Sequence, residues 1–313
     1  MAGLVTALKN MGATGVNTSC ACHPRLVSWC KDVDARTRPG ITKSKRGNAV
    51  AIKLDEAREL VARANRMIAN EGVLDAFGHV TMRHPTDPQR YLMSRSRAPE
   101  LVQPDDILEF TLDSQPVEAT DIRLYGERVI HGGIYQARPD VNAVCHHHAP
   151  SILPFCISGV ELKPVYHLGA TLGEKVPFWD SRDEFGDTTL IVAKPEEGAS
   201  LARALGTHWI VLMRRHGATV AGATLEELTF RTIYTARNAA LQIQAHTLGH
   251  VSPLNPAETR LAGEYNLRPG PVARAWEYWN VRLDKAENVW RPQKEKTRAP
   301  KRLQAKRKTK RRR

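Results

Sequence analysis

Val141-Asn142-Ala143-Val144-Cys145-His146-His147-His148-Ala149-Pro150 is an apolar run that ends in three adjacent histidines. A short apolar segment closed at both ends by breakers, here Pro139 and Pro150, reads as a buried strand. Successive strand side chains point to opposite faces, so His146 and His148 share one face and His147 takes the other. Two imidazoles at i and i+2 on one face make half of a metal site. The competing reading of this run alone is a surface histidine cluster.

Working outward, Asp121 to Gln136 reads as a helix closed by Arg138-Pro139-Asp140. His79 to Arg83, Tyr91 to Ser94 and Ile107 to Thr111 read as short extended pieces. Before them, Leu54, Ala57, Leu60, Val61, Ala64, Met67 and Ile68 recur at three and four, the period of an amphipathic helix, and Asn70-Glu71-Gly72 ends it. On the other side, Leu190 to Ala193 and Trp209 to Met213 read as apolar strands with a helix between them over Pro195 to Leu205. Ala218 to Ala221 reads as another strand. Thr224 opens a long helix to about Gly249, with Glu226 and Glu227 at its positive end. The alternation predicts an α/β domain over residues 51–250, with three α/β/α layers around a central mixed sheet. Residues 251–291 read as peripheral helices bearing Trp276, Tyr278, Trp279 and Trp290.

A second histidine follows an apolar strand in Met213-Arg214-Arg215-His216-Gly217. Alone it would be an ordinary loop residue. Ligands of open α/β sheets gather where strand ends meet loops, so His216 becomes a third donor beside His146 and His148. Three neutral nitrogens with a position left open describe a catalytic rather than a structural metal site.

Charge and composition narrow the class. The chain has 313 residues, 42% of them hydrophobic, and a formal charge of +13. Residues 292–313 carry 12 Lys/Arg and one acid, and residues 1–50 carry 8 and two. Between them lie 26 basic and 30 acidic residues, so the body is mildly acidic and no specific nucleic-acid partner is expected. Residues 1–50 read as an irregular leader and 292–313 as a disordered basic tail. Cys20, Cys22, His23 and Cys30 match no zinc-ribbon spacing. No apolar run is long enough to span a membrane, no export signal opens the chain, and five cysteines make no disulfide framework. The expectation is a cytoplasmic protein.

Taken together, Gly126-Glu127-Arg128, Tyr135-Gln136-Ala137-Arg138-Pro139-Asp140-Val141, His146, His148 and the His216-Gly217 turn resemble the class II aldolase/adducin family over about residues 54–250. The resemblance implies that Glu127 is the catalytic acid/base or a metal-contacting carboxylate and that His146, His148 and His216 hold the metal. It also implies a cyclic homotetramer in which a neighbour completes the site. The metal would be one divalent ion: Zn, Mn, Fe or Co.

The departures from the family's phosphate-using aldolases matter as much. Where those carry a Gly-Asn turn, this chain has Gly78-His79, and where they carry a Ser-Gly turn it has Ser94-Arg95-Ser96-Arg97. Guanidinium forks suit planar carboxylates better than a backbone phosphate cradle does. Asp75-Ala-Phe-Gly-His79, Ser94 to Pro99 and Pro164-Val-Tyr-His167 resemble the branch that decarboxylates hydroxylated aromatic and heteroaromatic dicarboxylates. Retro-aldol cleavage and decarboxylation both leave an electron pair beside a carbonyl or its phenol tautomer, so one divalent ion serves either by stabilising the enolate. Glu127 would manage the proton, with His167 as a second catalytic candidate. His79, Ser94, Arg95 and Arg97 would bind the substrate carboxylate. The alternatives are an aldolase acting on a small hydroxy-carbonyl compound and a non-catalytic adducin-like module.

Overall fold

The computed structural model describes residues 52–290. The leader with its cysteines and the basic tail lie outside them.

The apolar stripe read at the start of the domain forms helix α1, Leu54–Asn70, which buries Ala57, Val61, Ala64, Met67 and Ile68. Strands β1 (His79–Arg83), β2 (Arg90–Ser94) and β3 (Ile107–Thr111) follow, then helix α2 (Arg128–Ala137) and the histidine strand β4 (Ala143–His147). A short helix α3 (Leu153–Ser158), a 3-10 turn over His167–Leu172, the two-residue strand β5 (Phe178–Trp179) and a one-turn helix α4 (Arg182–Phe185) lead to helix α5 (Pro195–Leu205). The hairpin β6 (Ile210–Met213) and β7 (Gly217–Gly222) then runs into the long helix α6 (Leu225–Leu248), which the Thr224 hydroxyl caps by accepting from the Glu227 N–H. Helices α7 (Pro256–Asn266) and α8 (Pro269–Trp290) end the described chain.

The seven strands form one sheet in the order β3-β2-β1-β4-β7-β6-β5. Every pairing is antiparallel except β5 with β6, so the sheet is mixed. Period-two alternation divides the strand residues between two cores. Val80, Met82, Cys145, Ile210, Leu212, Ala218 and Val220 pack with α1, α6 and α8. Val144, Val211, Met213 and Ala221 pack on the other side with α2 and α5. Apolar residues on both faces, with helices over each, make the three-layer α/β/α arrangement expected from the sequence.

Three expectations change. The second helix starts at Arg128, not Asp121. The stretch before it is pinned as an irregular strand of chain: the Ser96 N–H donates to the Arg123 carbonyl, and the Tyr125 hydroxyl donates to the Arg97 carbonyl. Leu190–Ala193 is not a strand. Its amides turn to side-chain carboxylates instead, Val192 N–H toward Glu127 Oε1 at 3.4 Å and Ala193 N–H to Glu197 Oε2 at 2.9 Å. Leu190 itself sits at φ 67°, outside any strand conformation. The place beside β6 goes to β5. Finally, α8 is more than peripheral cover: Trp279 and Leu283 are buried in the larger core, with Trp279 against Phe230 and Tyr234 of α6. Truncating Trp279 to alanine should cost about 3–5 kcal/mol.

Candidate metal centre and active site

Antiparallel pairing brings the start of β1, the end of β4 and the β6–β7 turn to one end of the sheet. His79 lies opposite His146, and His146 lies opposite Thr219. The chain reverses before His216 with Arg215 at φ 53° and needs Gly217 directly after it, because a Cβ there would lie 2.3 Å from the His147 carbonyl oxygen. Gly78 is needed on the other side: its φ is 88°, and a Cβ would lie 2.7 Å from the His146 carbonyl oxygen. Both glycines let neighbouring backbones close on the histidine strand.

Four ligand atoms result, one each from Glu127, His146, His148 and His216, all within 4.8 Å of one another. His146 Nε2 is 3.0 Å from His148 Nε2, His216 Nε2 is 3.3 Å from Glu127 Oε1, and His146 Nε2 is 3.6 Å from Glu127 Oε2. Nitrogen ligands about 2.05 Å from a tetrahedral ion are separated by about 3.3 Å, so the three shortest separations are close to those of a divalent-cation site. Burial pushes the pKa of all three imidazoles down; the Glu127 carboxylate opposes this at His148 and His216 without reversing it, so the rings are neutral ligands at physiological pH. Burial would raise the Glu127 carboxyl, but His79, His216 and His148 around it reverse the sign and hold it below the usual carboxylate range. His146 Nδ1 contacts Thr219 Oγ1 at 3.2 Å, which fixes the ring so that Nε2 faces the cluster. Glu127 sits at the N-cap of α2, its carboxylate near the Val192 N–H, so the irregular 190–193 stretch helps to place it.

His79 stands beside this group. Its Nε2 is 3.8 Å from Glu127 Oε2 and is buried without a hydrogen-bond partner among the described residues. The Tyr125 ring packs on the His79 ring at 4.6 Å between centroids. Tyr125 escaped the sequence reading because the segment before Glu127 was assigned to a helix. Its position two residues before Glu127 is the only signal it carried.

The other expected substrate contacts are placed differently. Arg95 Nε and Arg97 Nη1 donate to the two carboxylate oxygens of Asp106 at 2.6 and 2.7 Å, and the Gln103 N–H adds a third bond. Burial would raise the Asp106 carboxyl, but these donors outweigh it and hold it down. Arg95 and Arg97, expected to anchor a substrate carboxylate, are both engaged here by a carboxylate of the chain itself. Asp106 gave no signal in sequence beyond Pro104-Asp105-Asp106. Ser94 closes β2 with its hydroxyl buried and unpartnered. His167 does not join the four-residue cluster within one protomer. Its carbonyl accepts from Asn266 Nδ2, which ties it to α7, and it lines a separate cavity of about 430 Å³ with Tyr234, Tyr265, Arg274 and Tyr278.

The mixed sheet with helices on both faces thus ends in a Glu-His-His-His cluster that could hold a metal ion. The sequence profile of the Class II Aldolase and Adducin N-terminal domain matches residues 59–243, and the chain belongs to that family. It is 34% identical to decarboxylase tropJ of Talaromyces stipitatus over 66% of this chain and 86% of that protein. It is 26% identical to the 3,4-dihydroxyphthalate decarboxylase of Arthrobacter keyseri over 62% and 80%, respectively. Among solved structures, the L-fuculose 1-phosphate aldolase from Glaciozyma antarctica superposes with a TM-score of 0.65 at 20% identity, covering 80% of this chain and 97% of that one. The similarity places the chain in the decarboxylase-like branch, and the protein is an enzyme of the decarboxylase and aldolase type. No helix among the described residues is long and apolar enough to cross a membrane.

Proposed function

We propose that the protein is a metal-dependent decarboxylase of a hydroxylated aromatic or heteroaromatic carboxylate or dicarboxylate. The observation that carries this reading is His79: a buried nitrogen without a protein partner, 3.8 Å from Glu127 and roofed by the Tyr125 ring. A flat anionic substrate supplies what that corner lacks, a carboxylate oxygen for His79 and a π face for Tyr125. The names of tropJ and of the 3,4-dihydroxyphthalate decarboxylase support the same chemistry.

A divalent ion held by Glu127, His146, His148 and His216 would stabilise the negative charge that develops on the substrate oxygen as CO2 leaves. The chain's own groups do the rest. Thr219 orients the His146 ring, and the neutral state of all three imidazoles leaves each a lone pair for the ion. Glu127, held as a carboxylate, would take a proton from water and pass it to the ring carbon that CO2 leaves. His79 holds the carboxylate that stays.

The enzyme acts as a homotetramer in this reading, and His167 reaches a substrate only through the assembly. Light scattering should give four chains; a fully active monomer would contradict it. For the reaction, purified protein loaded in turn with Zn, Mn, Fe and Co should release CO2 from hydroxylated phthalates and pyridine dicarboxylates. Phosphorylated ketoses are the parallel substrates. Cleavage of those without CO2 from any dicarboxylate would replace the decarboxylase with an aldolase.

A further inference from the structure

We propose that His131, Thr81 and Tyr135 form a buried tautomer lock that makes His79 present an N–H, at Nε2, to a carboxylate group of the substrate. The inference rests on the decarboxylase reading for its ligand but not for the lock itself.

The four residues form a continuous chain inside the protein. Tyr135 OH is 2.8 Å from Thr81 Oγ1, Thr81 Oγ1 is 2.7 Å from His131 Nδ1, and His131 Nε2 is 2.7 Å from His79 Nδ1. The far end is His79 Nε2, which has no hydrogen-bond partner and faces Glu127 Oε2. His131 is fully buried between α2 and β1, and burial keeps its ring neutral, so it carries one N–H. One proton position therefore sets all the others.

The Thr81 hydroxyl has a single proton, which can go to His131 Nδ1 at 2.7 Å, to the Tyr135 hydroxyl oxygen at 2.8 Å or to the Val144 carbonyl at 3.4 Å. The last contact is the weakest, and between the other two the charge beside His79 selects His131 Nδ1. With that choice Tyr135 donates to Thr81, Thr81 donates to His131 Nδ1, and His131 Nε2–H donates to His79 Nδ1. The remaining proton of His79 lies on Nε2 and points at the site. The reverse direction would set a bare His79 lone pair against the carboxylate of Glu127, a repulsion with no compensating donor. The short contacts supply the chain, and the Glu127 carboxylate sets its direction.

The chain ends in a phenol sealed in the core, so it has no route for resupplying protons. Its role is positional. A donor at His79 Nε2 attracts a carboxylate and repels a substrate group that offers only N–H or O–H in that place. This residue would thus separate anionic aromatic substrates from neutral ones.

The test is histidine-selective 15N NMR on the Zn-loaded full chain, with phthalate binding by calorimetry as a second readout. Wild type should show His79 protonated on Nε2 and bare on Nδ1. His131→Leu removes the donor to Nδ1; the Nε2–H preference should be lost and phthalate affinity should fall about tenfold or more, the scale of one charge-assisted hydrogen bond. Zinc content should not change. His131→Gln offers an amide N–H to His79 Nδ1 and should restore both readouts to within about threefold. Thr81→Val, nearly isosteric, should weaken the same preference if His131→Leu does not fold. His79 protonated on Nδ1 alone or on both nitrogens in wild type, or an unchanged His79 spectrum in folded His131→Leu or Thr81→Val, overturns the lock. Wild type that shows the expected tautomer but binds no phthalate leaves the lock standing and removes the dicarboxylate reading instead.

Discussion

Two clusters of charged or titratable groups flank the end of the sheet, and they differ in where their polar atoms find partners. At Glu127, His146, His148 and His216 the ligand atoms converge on one another, and His216 Nδ1 and His79 Nε2 are buried with no hydrogen bond. At Arg95, Arg97 and Asp106 each carboxylate oxygen meets a guanidinium nitrogen within 2.7 Å. Both clusters attracted notice in the sequence because of their residue types. Only the first leaves buried ring nitrogens without a partner among the described residues. A group that folding leaves unsatisfied in a buried place is expensive, and an ordered water, an ion or a ligand compensates it. A group already mated within the chain has less to offer.

The largest effects should come from breaking the first cluster. His146→Ala or His216→Ala should abolish stoichiometric metal binding, and Glu127→Gln should lower kcat by about a hundredfold or more. Metal analysis of the folded variants checks the first outcome and steady-state CO2 release the second. Full metal content in both histidine variants would dissolve the distinction between the clusters.

Acid should separate them next. His131, His146 and His147 are fully buried, and burial depresses each of their folded pKa values, that of His147 to about 3. In the unfolded chain these rings take up protons near the ordinary histidine value of about 6.5. The unfolded state therefore binds more protons below that point. The stability these rings contribute is fully present above pH ~6.5 and is lost as pH falls toward the folded values. The ceiling is about 1.4 kcal/mol per pH unit for each imidazole. Asp106 is also depressed in the folded state, so its contribution is present above about pH 4 and is lost only below that. Urea midpoints of chelator-treated protein should drop steeply between about pH 6.5 and 5, before the arginine cluster is affected. A flat profile down to about pH 4.5 would show that the buried rings are better solvated than their surroundings imply.

Much of this was legible in the sequence, and the rest was hidden for definite reasons. Helices α1, α5 and α6 and strands β1 to β3 announced themselves through period and caps, because local propensity and burial agree there. His146, His148 and His216 were legible because strand alternation and a His-Gly turn are short-range rules. Three things were not. Leu190–Ala193 has strand composition, yet the Leu190 and Ile191 amides turn to the Thr188 and Thr189 hydroxyls and those of Val192 and Ala193 to Glu127 and Glu197, of which the Glu127 contact is one that no window of sequence contains. Tyr125 and Asp106 matter through contacts with His79 and the arginine loop, which only the folded chain brings near. His131 looks like one more residue of an amphipathic helix; its meaning lies in the 2.7 Å contacts on either side of its ring.

Smaller changes sharpen the second cluster. Asp106→Asn removes the shared partner of two cations and two of the acceptor bonds that hold the loop. Because Arg95 and Arg97 keep about a third of their side-chain surface exposed, water takes over part of the loss. The cost should be about 1–2 kcal/mol in denaturant unfolding, below the value for a sealed pair. Turnover should fall only as far as Tyr125 moves, since its hydroxyl is bonded to the Arg97 backbone rather than to the guanidinium.

The smallest effect should be that of the arginines themselves. If either were the substrate's anchor, Arg95→Ala or Arg97→Ala would raise KM for a dicarboxylate about tenfold with little change in kcat. Their bonds to Asp106 predict otherwise: KM within about threefold of wild type and a stability loss of about 1 kcal/mol or less, because partly exposed ion pairs contribute little. His79→Ala, measured alongside, should exceed both, since its Nε2 has no acceptor within hydrogen-bond distance among the described residues. The ordering is the decisive quantity. A KM increase for Arg97→Ala that exceeds the one for His79→Ala, with the variant as stable as wild type, would mean that the guanidinium leaves Asp106 when substrate arrives. The arginine loop would then be the anchor, and the paired state seen here would be its resting form.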